Sequence, residues 1–272
     1  MITFPNAKIN LGLDIVEKRP DGYHNLESLF YPIPIHDMLE ITVSDDEFGF
    51  TMYNAKFDGD ENDNLVVKAY NLLAKEHALP KVRISLYKNI PTGAGMGGGS
   101  ADAAFTLKML NEIASLRLSD EQLEEYAAKI GADCAFFIKN RPAFATGIGN
   151  VLTPVDFTLK GYHIAVVKPD IHVSTKEAYS LVSPAYPEKP LKEIITKPVE
   201  EWKEDMKNDF EKSIFAKHPS VAGIKEKLYS MGAVYASMSG SGSSFFGIFK
   251  SEPDASALER QFAGMYCKRM EL

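Results

Sequence analysis

Residues 91–104 hold five of the chain's 19 glycines, all between Gly93 and Gly99. They follow a segment that alternates apolar and polar residues (82–90) and precede one with helical apolar spacing (100–114). A glycine-rich turn feeding a helix bares several backbone N–H groups, and the helix dipole adds roughly half a positive charge there. The chemistry this suits is anion binding, phosphate foremost. A mobile surface loop is the plain alternative, but ordering so many glycines loses entropy that a loop without a ligand keeps. A Walker loop is excluded because no lysine precedes Ser100. Gly93, Gly95 and Gly98 match the dinucleotide fingerprint, which would make the protein a dinucleotide-dependent oxidoreductase. That fold should continue into a buried strand with an acidic residue about twenty positions on. The next expected element, from Ser119, is instead another helix.

Other groups could act on a ligand. Lys8 and Asn10 share one strand parity with Gly12 and Asp14 and point the same way, although a solvated sheet face fits them equally. Tyr23 and His24 follow a rigid turn at 19–22, which suits a fixed recognition edge; a half-buried aromatic and a solvated histidine explain them as well. Asp133 is the one carboxylate in the apolar run 132–138, directly after a helix stop at Gly131, and an ordinary cap or turn role accounts for it too. A second cluster of small residues spans 238–244.

Several elements must position these groups. Alternation predicts strands over 1–16, 26–35, 39–43 and 48–52, then an acidic loop over 58–63. A helix over 64–77 carries Leu65, Ala69, Leu72 and Leu73 as its apolar stripe. Ser119 and Gln122 form a capping box for a helix ending near Ile130, and 141–154 reads as a hairpin. A strand over 163–167 precedes a second capping box at 174–177, whose helix runs through Val182. Residues 183–198 read as a surface connection, 199–217 and 220–231 as amphipathic helices, 245–249 as a strand and 258–264 as a helix before a last strand. The pattern is an antiparallel-rich α+β chain.

At 272 residues there is room for one large domain or two small ones, and 45% hydrophobic with 25% charged residues is ordinary globular composition. The net charge of −7, with no long basic stripe, argues against a nucleic-acid partner. No apolar run approaches the ~20 residues that cross a bilayer, and the N-terminus lacks signal-peptide features, so no membrane partner is expected. Cys134 and Cys267 form no CxxC, which fits a cytoplasmic protein.

Residues 91–104 resemble the phosphate loop of the GHMP small-molecule kinases, the family of galactokinase, homoserine kinase and mevalonate kinase. Residues 7–11, 20–24 and 131–133 are similar to blocks of a branch whose substrate carries a cytidine diphosphate, and 239–244 resembles the family's third glycine motif. The blocks run in family order from residue 7 to 249. The resemblance implies a two-lobed α+β fold: a ribosomal-protein-S5-like N-terminal lobe (1–154) with the phosphate loop and catalytic residues, and a ferredoxin-like C-terminal lobe (155–272) closing the substrate cleft. It implies an ATP-dependent kinase in which Asp133 accepts the proton of an attacking hydroxyl and Lys8 stands beside it. By the same resemblance Pro91, Gly93, Ala94, Gly95, Met96, Gly97, Gly98, Gly99, Ser100 and Ala101 hold the ATP phosphates, with the glycines letting the backbone reach them. Asn64 and Lys88 would lie near adenine, and Asn10, Tyr23, His24, Thr175 and Tyr179 would bind the cytidine-bearing substrate, Tyr179 opposite Tyr23 across the base. Mg²⁺ is expected with ATP, and Ser100 is its candidate side chain because Gly98 and Gly99 replace the usual serine pair. Asp102 reads as a first-turn acid favoured by the helix dipole. A sugar, homoserine or mevalonate kinase is the alternative within the family; Tyr23, His24 and the triple glycine speak against it. A nucleotide-binding module without catalysis is opposed by the presence of both Lys8 and Asp133.

Overall fold

Alternation in residues 82–90 becomes the strand Val82–Tyr87, which buries Val82, Ile84 and Leu86 and leaves Arg83 and Tyr87 exposed. The computed structural model that carries this strand describes residues 1–56, 59–179 and 182–272. The chain divides into two compact units that interleave along the sequence. The first comprises residues 1–8, 32–92 and 97–141, the second residues 9–31, 93–96 and 142–272.

In the first unit, a four-stranded sheet runs in the order Ile2–Thr3, Met38–Val43, Val82–Tyr87, Gly49–Tyr53. Its last pair is parallel and is joined through the helix Leu65–Ala74, as a parallel connection requires. Three further helices follow: Gly98–Ile113, Asp120–Ile130 and Phe136–Lys139. The helix Gly98–Ile113 buries Ala101, Ala103, Ala104, Leu107 and Leu110, a nearly continuous small and aliphatic face. Ser119 and Gln122 form the expected reciprocal capping box before Asp120–Ile130. The acidic loop contains a single short turn, Glu61–Asp63, and residue 58 lies outside the described residues.

In the second unit, an antiparallel sheet orders Tyr235–Met238, Phe245–Phe249, His163–Lys168 and Tyr266–Glu271. One face packs Ala165, Val167, Met238 and Phe245 with Phe210, Ile214, Ile224 and Leu228 of the helices Phe210–Lys217 and Pro219–Ser230. Elsewhere Tyr235 meets Trp202 and Phe246 ring to ring. The short helix expected over 174–182 is described as Thr175–Tyr179, and residues 180 and 181 lie outside the described residues.

A third sheet orders Asn6–Lys18, His24–His36, Ala143–Thr146 and Val151–Pro154, the last two forming the expected hairpin. Its two long strands each pass from one unit into the other. Three expectations change here. Residues 6–16 are buried on both parities, so the face of Lys8, Asn10 and Asp14 is not solvated. Residues 183–198 are not all surface, since Leu191 and Ile194 are buried in the turn Leu191–Ile194, and a Cβ on Gly12 would come within 2.6 Å of Leu191. The helix expected over 199–217 is broken into Trp202–Asp205 and Phe210–Lys217. At the break, the Lys207 carbonyl accepts from the Leu13 N–H and the Asp209 carboxylate accepts from the Ile15 N–H at 2.7 Å. Pairing with a neighbouring strand outweighs helix continuation where Asn208 and Asp209, weak helix formers, supply the groups.

Candidate active site

Within the first unit, the helix Asp120–Ile130 stops and the chain turns at once, the Cys134 N–H donating to the Gly131 carbonyl at 3.1 Å. This turn sets the Asp133 carboxylate 3.2 Å from the Lys8 ammonium. The pair is asymmetric: Lys8 is 3% exposed and Asp133 is 32% exposed. The lysine is therefore sealed while its partner opens to solvent. Gly97 is the N-cap of Gly98–Ile113, in the left-handed region with φ of +69°. A Cβ there would lie 2.9 Å from the Phe137 ring and 3.2 Å from the Lys8 Cγ. A side chain at 97 would displace the lysine of the ion pair. Gly98 is equally confined, 2.8 Å from Ile90 Cγ2 by the same measure, whereas Gly99 meets nothing nearer than Leu65 at 3.7 Å. The reason for these glycines is thus partly the protein itself, not only backbone approach to a ligand. Ser100 is half-buried beside the Cys134 thiol, which burial pushes up to about 12, so Cys134 packs as a neutral group. Ala101 is buried and Pro91 is half-buried.

Lys88 and Asn64, both expected near adenine, make contacts within the protein. The Lys88 ammonium sits between the carboxylates of Asp37 and Asp102, the latter at 2.7 Å, and all three side chains are buried. Burial opposes its charge, but Asp102 and Asp37 together hold the Lys88 pKa above its ordinary value. Burial also pushes the Asp102 carboxyl up to about 7. Asp102 is therefore a buried hydrogen-bond partner of Lys88 whose charge burial disfavours, not a first-turn acid. Asn64 is buried too and caps Leu65–Ala74, its Oδ1 accepting from the Val66 N–H at 2.9 Å.

Within the second unit, residues 93–96 lie against the 239–244 loop. Ser239 Oγ donates to the Gly95 carbonyl at 2.8 Å, and the Ser244 N–H donates to the Ala94 carbonyl at 3.2 Å. A Cβ on Gly95 would lie 2.1 Å from the Ser239 carbonyl oxygen, a collision of backbone with side chain that only glycine avoids. Ala94 and Met96 are buried, and Gly93 is exposed. The second loop is itself anchored, Asn208 Nδ2 donating to the carbonyls of Met238 (2.8 Å) and Gly240 (2.9 Å). Asn10 is buried, and its Nδ2 donates to Ser28 Oγ at 2.9 Å, which in turn donates to the Gly12 carbonyl at 2.7 Å. The His24 ring stacks on Tyr179 at 5.0 Å and 26°, and Tyr179 meets Phe210 edge-on at 4.9 Å. Burial, then the nearby Lys18, lowers the His24 pKa, so the imidazole is neutral at physiological pH. Tyr23 is 61% exposed on the turn pinned by Arg19 and Asp21. Thr175 Oγ1 lies 3.4 Å from Ser241 Oγ.

Sequence reasoning missed Ser28, Asp37, Phe137 and Asn208. Only Asn208 carried a usable signal, an Asn–Asp pair inside a segment otherwise read as helix.

Residues 64–141 match the family described as GHMP kinases N terminal domain, and residues 191–266 match GHMP kinases C terminal. A 4-diphosphocytidyl-2-C-methyl-D-erythritol kinase from Bacteroides fragilis is 59% identical over 275 residues, covering 100% of both chains. A crystal structure of 4-(cytidine 5'-diphospho)-2C-methyl-D-erythritol kinase is 30% identical with a TM-score of 0.84, again over 100% of both chains. The Methanococcus jannaschii mevalonate kinase shares the fold, with a TM-score of 0.74 at 14% identity over 100% of this chain and 98% of its own.

Proposed function

We propose a mechanism for a chain that belongs to the GHMP kinases and, within them, to the 4-diphosphocytidyl-2-C-methyl-D-erythritol kinases. The protein transfers the γ-phosphoryl group of ATP to the 2-hydroxyl of 4-diphosphocytidyl-2-C-methyl-D-erythritol. The products are the 2-phosphate and ADP, in the non-mevalonate route to isoprenoid precursors. Phosphoryl transfer asks a protein mainly for positioning and charge stabilisation. The single observation that carries our assignment is the Lys8–Asp133 pair, a sealed ammonium holding an open carboxylate at 3.2 Å. Asp133 takes the proton of the 2-hydroxyl as that oxygen attacks phosphorus. Lys8 orients Asp133 and offsets negative charge on the moving phosphoryl group. The backbone of residues 91–101 cradles the phosphates, and the start of the helix Gly98–Ile113 adds its dipole.

Among the described residues no three His, Cys, Asp or Glu side chains gather into a metal cage. Mg²⁺, expected with ATP, keeps several waters and would take its other oxygens from nucleotide phosphates. We assign it the Ser100 hydroxyl; when bound it neutralises charge on the phosphates.

Substrate recognition falls to Asn10, Tyr23, His24 and Thr175. Tyr23, largely exposed, offers its ring to the cytosine, and the neutral His24 imidazole bonds the base edge. Tyr179 backs His24 by stacking, a different role from the far wall of a base sandwich. Asn64 remains our candidate near adenine; Lys88, sealed among carboxylates, is withdrawn. A cytoplasmic setting accords with two free cysteines, and no helix among the described residues is long and apolar enough to cross a membrane.

The test is a product assay with ATP and a panel of alcohols. Phosphorylation confined to the cytidine diphosphate alcohol is the expected result. Turnover of a sugar, homoserine or mevalonate in its place would overturn the substrate assignment.

A further inference from the structure

The ammonium of Lys88 touches both ends of one stretch of chain. On the incoming side, Asp37 bonds Lys88 and also accepts the backbone N–H groups of Asn89 and Ile90, the latter at 2.8 Å, immediately before Pro91. On the outgoing side, Asp102 in the helix Gly98–Ile113 takes the same ammonium at 2.7 Å. Between them the helix start packs directly on the cation: a Cβ on Gly98 would lie 3.3 Å from Lys88 Nζ and 2.8 Å from Ile90 Cγ2. None of the three side chains exceeds 4% exposure.

A buried ionic cluster is poor stability engineering, because desolvation offsets most of its Coulomb gain. Here the imbalance is plain: one ammonium faces two carboxylates, and Asp102 Oδ1 is buried with no hydrogen-bond partner among the described residues. Asp37 alone would neutralise Lys88. What the second carboxylate adds is a fixed distance between the helix start and the strand that leads into the glycine turn.

We propose that Asp102 is a positioning residue: through Lys88 and Asp37 it sets the start of the helix Gly98–Ile113 against residues 88–90, and so shapes the nucleotide cradle without touching the nucleotide. The cluster works as a spacer. Its hydrogen bonds make it stiff, because moving any member of a dry, hydrogen-bonded polar cluster by a fraction of an ångström costs more than bending an apolar contact. The inference rests on the nucleotide role assigned above to residues 91–101, and ATP affinity of the unmutated chain tests that role by itself.

The experiment compares Asp102→Ala with Asp102→Asn. Removing Asp102 leaves Lys88 still paired with Asp37, so the chain should still fold. Asp102→Ala should weaken ATP binding by about tenfold in calorimetry, the size expected of a slightly misplaced site. KM for the alcohol substrate should stay unchanged. Asp102→Asn keeps an oxygen that accepts from Lys88 and should restore most of the ATP affinity. Unchanged ATP binding in Asp102→Ala, parallel loss for both substrates, or no recovery with Asn would each overturn the proposal. Should Asp102→Ala fail to fold, Asp102→Ser carries the same comparison. An unmutated chain that does not bind ATP would instead refute the phosphate-cradle reading.

Discussion

Two lysines of the first unit, Lys8 and Lys88, are equally buried at 3% and 4% exposure and both pair with carboxylate, yet they are built for opposite ends. The partner of Lys8 is 32% exposed and sits on a turn; the partners of Lys88 are at 0% and 2% and sit on a strand connection and a helix. A sealed cation with an open partner can act on what binds beside it. A sealed cation with sealed partners can only hold chain segments at fixed spacing. Burial of the lysine does not separate the two roles; exposure of its carboxylate does.

The comparison breaks first at Asp133. Asp133→Asn should lower kcat by about three orders of magnitude, within the span of lost general-base catalysis, with ATP affinity unchanged by calorimetry. Turnover near the native rate would leave the Lys8 pair as structural as the Lys88 cluster. The next largest effect is on stability. Gly97→Ala should cost about 1–3 kcal/mol in urea denaturation, because φ is +69° and the methyl would press on Phe137 and Lys8. Gly99→Ala, where the methyl would meet only Leu65 at an ordinary 3.7 Å, should change stability by less than about 0.5 kcal/mol. Equal effects at 97 and 99 would show that packing against Lys8 is not what demands glycine.

Asp14 sharpens the contrast, since it shares the strand parity of Lys8 but faces another carboxylate. Burial, then the negative charge of Asp209, pushes its pKa up to about 6, with Glu27 adding to the rise and Lys207 opposing it. The folded chain then holds a proton that the unfolded chain releases between about pH 4 and 6. Stability from this group is present below that window and lost as pH rises through it. Relative to the native protein, Asp14→Asn should therefore gain about 3 kcal/mol between pH 4 and 8, the rise from 3.8 to about 6 converted to free energy. Urea titrations at several pH values would read it, and a pH-independent difference would contradict it. The smallest effect is recognition. His24→Ala should raise KM for the cytidine-bearing substrate by about tenfold, one lost hydrogen bond, and leave KM for ATP alone. Equal changes in both would remove His24 from the base edge.

Elements governed by local chemistry were legible in advance. The capping box at Ser119, the hairpin closing at Pro154 and the alternating strand leading into the glycine turn lie where residue pattern places them. The segment 199–217 was not, because its helical periodicity is genuine and only hydrogen bonding to Leu13 and Ile15 interrupts it. Ser28 and Phe137 were invisible for a similar reason: a serine in a strand and a phenylalanine in an apolar run announce nothing until Asn10 or Gly97 is set beside them.

By itself the sequence determined the run of glycines, the helix that follows it and the order of motifs along the chain, because backbone freedom, capping and apolar spacing act over a few residues. Only the tertiary structure decided which charges meet. Lys8 reaches Asp133 across more than a hundred residues of chain, and Lys88 is drawn between Asp37 and Asp102 instead. Electrostatic partners are chosen by distance and burial in three dimensions, and residue type alone specifies neither.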